Sequence, residues 1–113
     1  MPSVNGVRVK IGGKERALRM THRAMDRLER ETGLSVPQVL TRTQMGHVRY
    51  TIDLIWSLLL HDDKALERDT VIDWLDDLTE DEVKALTARL EETFGEQAAE
   101  ATNEGNVEAA STA

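Results

Sequence analysis

The sequence predicts a mainly α fold: an N-terminal β-hairpin, a compact bundle of four or five helices, and a disordered C-terminal tail. Val7, Val9 and Ile11 alternate with Arg8 and Lys10 ahead of Gly12-Gly13, the two-residue period of a half-buried strand. From Thr21 to Phe94 the apolar residues recur three and four apart instead, in segments set off by capping residues. After Gly95 the chain is nearly all Ala, Glu, Gln, Thr, Asn, Gly and Ser, with one Val, and buries too little to offset its ordering cost. Residues 1–95 are therefore read as one domain and residues 96–113 as the tail.

The hairpin spans residues 7–20. A turn at Gly13-Lys14 sets Val9 opposite Leu18 and Val7 opposite Met20, which keeps one apolar face together, whereas a Gly12-Gly13 turn would set Val9 opposite Arg16. The first register is the expected one. A lone hairpin is marginal in water, so this one must lie against helices. The first helix, residues 21–32, has Thr21 as N-cap, a Met20/Met25 staple, an apolar stripe of Ala24, Met25 and Leu28, and Gly33 as a left-handed stop. On its exposed surface, Asp26 and Arg30 pair with i,i+4 spacing, as do Arg27 and Glu31. The second, residues 35–42, opens on a Ser35/Gln38 capping box with Pro37 in its first turn. Thr43 to Val48 form a connector in which Gly46 is a candidate N-cap.

The third helix, residues 47–61, is the hub. Ile52, Ile55, Trp56 and Leu59 fall on one face, Leu54, Leu58 and Leu60 widen it, and Asp53, Ser57 and His61 make a polar line expected to face water. Burial of these side chains supplies on the order of 10 kcal/mol of gross driving force. Asp69 or Thr70 caps a fourth helix, residues 70–77, with Val71, Ile72, Trp74, Leu75 and Leu78. Thr79 and Glu82 form the capping box of a fifth, residues 79–94, whose buried face is Val83, Leu86, Leu90 and Phe94.

With 113 residues there is room for one domain, and the absence of cysteine excludes disulfides and thiolate metal sites. There is no N-terminal apolar leader, and no apolar run approaches the roughly 20 residues of a membrane span, so a soluble intracellular protein is expected. The net charge of −7 hides an asymmetry: residues 1–49 hold ten Lys and Arg against four Asp and Glu, and residues 50–113 four against seventeen. Such a chain can attract itself, stack with its own copies, or offer each end to a different partner. The overall acidity argues against binding nucleic acid.

The sequence carries no recognisable catalytic constellation. Gly12-Gly13 lacks the Lys-Ser/Thr and helix of a phosphate loop. His22, His47 and His61 stand in separate elements, and His61 beside Asp62 and Asp63 reads as a helix-terminating residue rather than a ligand. Ser57 and His61 read as a helix-surface pair, not nucleophile and base. The carboxylates from Asp62 to Glu82 lack the spacing and Gly of a calcium loop. No enzyme, cofactor or metal is expected. Arg27 to Thr43 has the outline of a helix-turn-helix, but Glu29 occupies the position where a tight crossing wants a small side chain, and Arg42 the late apolar anchor position. Trp56 is read as core; Trp74 is read either as a satellite core under the fifth helix or as part of a docking surface rimmed by Asp73, Asp76 and Asp77. The candidate partner-binding residues are Trp74, Leu75, Leu78, Leu86, Leu90 and Phe94.

In element order and wording the sequence resembles the small tail assembly chaperones of long-tailed phages and related gene transfer agent proteins. A hairpin ending in LRM leads directly into THRAMDRLERETGLSVPQVL; then come a Gly-containing connector, the helix TIDLIWSLLLHDD, and a helix pair around TVIDWLDDLTEDEV, covering Val7 to Phe94. The resemblance implies a non-enzymatic protein of the bacterial host cytoplasm, absent from the mature virion. Such a protein binds the tape measure protein until tube subunits polymerise, with other tail proteins and its own copies as further candidate partners. It also implies a longer frameshifted form joined at the tail. The alternatives are a small DNA-binding regulator reading with Leu34 to Arg42, or another minor phage structural or connector protein.

Overall fold

The computed structural model describes residues 7–94. It is mainly helical behind an N-terminal antiparallel hairpin: β1 (Val7–Ile11), β2 (Lys14–Leu18), α1 (His22–Thr32), α2 (Val36–Gln44), α3 (Val48–Leu59), α4 (Arg68–Asp76) and α5 (residues 80–94). The expected helix stop at Gly95 and the tail at 96–113 lie outside the described residues.

The hairpin register corrects the expected one. Val9 pairs with Arg16, Val7 with Leu18 and Ile11 with Lys14, around a Gly12-Gly13 turn. Turn chemistry outweighs apolar pairing here. A two-residue turn of this hand needs positive φ at both positions, and Gly12 (φ +66) and Gly13 (φ +81) supply it, whereas a Gly13-Lys14 turn would force Lys14 into that region. The cross-strand Arg16 is accommodated because its Nε donates to the Ile11 carbonyl at 2.9 Å and its guanidinium lies 4.3 Å from the Trp74 ring centroid.

Trp74 also seals the turn. A Cβ on Gly12 would stand 2.7 Å from two of its ring carbons, while one on Gly13 would meet nothing within 4 Å. Both replacements strain a positive φ at about 1 to 2 kcal/mol, so Gly12→Ala is expected to cost clearly more than Gly13→Ala in urea denaturation. The excess should vanish in a Trp74→Ala background; if the two alanines cost the same, the ring is not what holds the turn.

The helix ends follow local rules closely. Thr21 Oγ1 accepts from the Ala24 amide at 3.1 Å, and Gly33 closes α1 with φ +73 and an amide bond to the Glu29 carbonyl at 2.8 Å. The Ser35/Gln38 and Thr79/Glu82 boxes are both reciprocal. Several boundaries move: β2 ends at Leu18 rather than residue 20, and α3 at Leu59 rather than residue 61. α2 runs two residues past Arg42 because Thr43 extends the buried face of Val36, Val39 and Leu40. α4 begins at Arg68, after Glu67, rather than at Asp69 or Thr70, because Arg68 is drawn onto α3 by Asp53.

α3 is the rod on which α1, α2, α4 and β2 pack, with Leu54, Ile55, Leu58, Leu59 and Leu60 all buried. Its end is tied to the hairpin. The Arg19 amide donates to the Leu58 carbonyl at 3.0 Å, and His61 Nε2 lies 2.7 Å from the Ala17 carbonyl, which can only accept, so that nitrogen carries the proton. These bonds join the hub to β2, so His61 anchors the hairpin rather than idling among solvated carboxylates.

The expected water-facing line is also corrected. Asp53 and Ser57 are buried and His61 is half-buried, because α1, α2, α4 and the hairpin together enclose α3 past its apolar face. Ser57 Oγ has no hydrogen-bond partner. A buried hydroxyl left unpaired costs about 1 to 3 kcal/mol, so Ser57→Ala is expected to raise stability by about 1 kcal/mol. An unchanged or lowered urea midpoint would mean that the hydroxyl is paired in solution.

Candidate functional site

The α2–α3 corner is where apolar surface escapes the core. Gly46, at φ +89, reverses the chain; His47, not Gly46, is the N-cap of α3, and it makes no side-chain capping bond. On either side of this turn Met45 and Val48 are 68% and 69% exposed, the large apolar side chains left most open among the described residues. Val48 continues into a groove of about 340 Å³ whose floor is Ile52 and Ile55 of α3, with Ile72 and Leu75 of α4 on one wall and Val83 and Leu86 of α5 on the other. Asp76 is its one charged lining residue. A concave apolar site with a little polar lining is the form of a binding groove.

The predicted partner-binding residues separate. Leu75 and Leu86 line this groove. Leu78 is half-buried against the core. Leu90 and Phe94 are interior, 2% and 5% exposed, and present no surface to a partner in this conformation; Leu86 is similarly buried at 5%, with only its edge reaching the groove. Trp74 is half-buried against the core. It sits on the hairpin turn beside Arg16, facing a separate open cleft shared with Lys14, Asp62, Asp63 and Glu67.

Sequence reasoning assigns Ile52, Ile72 and Val83 to the interior and leaves Val48 in a connector, so it misses the groove they form. Their helical spacing cannot tell a filled interface from an open one; the one hint in the sequence is an apolar residue, Val48, set two positions after the Gly46 turn. Comparison with protein-family models, with curated proteins and with solved structures finds no match. The groove must therefore be read on its own chemistry.

Charges divide around it. Asp76 and Asp77 end α4 and Glu80, Asp81 and Glu82 begin α5, with no Lys or Arg between Asp69 and Val83. Near the α2–α3 turn the Arg42 and Arg49 guanidiniums each lie 5.7 Å from the Tyr50 ring centroid, and His47 meets the same ring edge-on at 6.0 Å. Neither arginine has a carboxylate partner among the described residues.

Reactive groups do not converge here. Ser57 Oγ is sealed in the core while the His61 ring is engaged with Ala17, so the two form no nucleophile–base pair. Among the described residues no three His, Asp or Glu side chains are placed to hold a metal ion, and no helix is long and apolar enough to cross a membrane.

Proposed function

We propose that this protein is a tail assembly chaperone of a long-tailed phage or gene transfer agent, acting without catalysis by stoichiometric binding of the tape measure protein in the host cytoplasm. The observation that carries the reading is the open apolar groove with the exposed Val48 at its edge. A chain of this size that leaves such a surface uncovered pays for it in solubility unless a partner covers it. The order of hairpin, capped helix pair, apolar hub and acidic helix pair, on which the family resemblance rests, supports the same reading. A helix laid in a groove is a general way to shield a partner's apolar stripe.

Co-expression with the tape measure protein encoded alongside is the test. The expected result is a soluble complex that co-purifies, with the partner insoluble when expressed alone. A partner that stays equally insoluble and does not co-purify overturns the proposal. A slippery heptamer over the last codons, with an overlapping frame, would add the longer form that this reading implies.

A further inference from the structure

We infer that the groove between the α2–α3 corner and the α4–α5 pair takes an amphipathic helix with a cationic flank, its apolar stripe on Ile52, Ile72 and Leu75 and its Lys or Arg residues beside Asp76, Asp77 and Glu80. The inference rests on the protein-binding reading above and adds the chemistry of the segment bound.

The apolar part follows from the lining, in which Asp76 alone is charged. A groove of about 340 Å³ lies near the small end of binding pockets, roughly 300–1,000 Å³, and suits a few anchoring side chains from one face of a helix rather than a folded domain. The charge of the flank follows from where the carboxylates stand. Glu80 and Asp81 have a local reason to be where they are, since they complement the positive end of the α5 dipole. Asp76 and Asp77 have none: they stand at the C-terminal end of α4, where the dipole disfavours negative charge. Both are exposed and neither has an ion-pair partner among the described residues. A local arrangement unfavourable to its own helix, set along the rim of an apolar groove, is satisfied by a cation brought from outside. One cation, Lys84, follows Val83 on α5, and it bounds the acidic rim on that side.

The test uses the full chain and three synthetic 18-residue peptides: a leucine-striped helix with lysines on one flank, the same helix with glutamates there, and a scramble of the lysine version that destroys the stripe. Calorimetry at low salt should show the lysine peptide binding roughly three- to tenfold tighter than the glutamate peptide, with the gap closing as salt rises. The scramble should not bind. Val48→Asp, at a site already exposed, should leave the melting temperature unchanged and abolish binding, and the double variant D76K/D77K should invert the preference. Equal affinity for the two flanks, or binding indifferent to Val48→Asp, overturns the inference. So does a wild-type dimer that Val48→Asp dissociates while no peptide binds, since the groove then belongs to a second copy. The two proposals fail separately. Tape measure protein that co-purifies equally with V48D and D76K/D77K removes the groove assignment and leaves the chaperone reading; intact peptide preference without co-purification does the reverse.

Discussion

Trp56→Ala is expected to cost about 4 to 5 kcal/mol, near the upper end for truncating a buried aromatic residue. The ring is 8% exposed and embedded in the hub, and Arg27 covers it with a guanidinium 5.3 Å from the ring centroid. Its Nε1 also donates to the Leu66 carbonyl at 2.8 Å in a buried bond. Truncation therefore opens a cavity and leaves a carbonyl unpaired in the segment that carries the chain from α3 to α4. Against a total stability of about 5 to 15 kcal/mol for a domain of this kind, such a loss approaches unfolding at physiological temperature. Trp56→Phe keeps most of the volume and gives up the bond, so it should cost about 1 to 2 kcal/mol. Urea denaturation of the pair separates the two contributions. If Phe is as damaging as Ala, the hydrogen bond rather than the filled volume holds this region.

Arg68→Ala should follow closely. Arg68 Nε donates to Asp53 Oδ1 at 2.6 Å, with the Asp53 side chain 3% exposed and that of Arg68 32%. A second guanidinium nitrogen reaches the Arg49 carbonyl at 3.4 Å. Removing the cation strands a carboxylate in the core, which costs about 3 to 5 kcal/mol for a fully buried pair; water admitted on the Arg68 side reduces this to about 2 to 4 kcal/mol. The pair need not be net stabilising, however, because both charges were desolvated to make it. Asp53→Leu with Arg68→Met should therefore lie within about 1 kcal/mol of the natural chain. A double variant as unstable as Arg68→Ala would show that the ion pair itself, not relief of an orphaned charge, holds α4 on α3. Because α4 forms a wall of the groove, Arg68→Ala should also weaken partner binding while the paired apolar replacement restores it.

Much of the secondary structure was legible because its signals are local. Thr21, Gly33, Ser35/Gln38 and Thr79/Glu82 act on backbone groups within a few residues of themselves, and each does in the structure what its position predicts. The hub was legible from sheer apolar density. The hairpin register is written in the Gly12-Gly13 pair, whose turn conformation outranks the apolar pairing that favours the other register. The site was legible only in part. Leu75 and Leu86 stood out as apolar residues on the right helices, while Leu90 and Phe94, which spacing places on the buried face of the fifth helix, are interior and not the partner contacts they were also offered as.

By itself the sequence determined a mainly helical chain behind a hairpin, where most helices begin and end, and which segment the others surround. Only the tertiary structure decided that Asp53 is buried, because its partner Arg68 lies fifteen residues away and one helix farther on. The same holds for Trp74, whose place on the hairpin turn depends on elements 62 residues apart in sequence meeting in space, Gly12 against the ring. Periodicity states which side chains avoid water; whether a neighbour arrives to cover them is settled by packing between distant segments, and at Val48 none does.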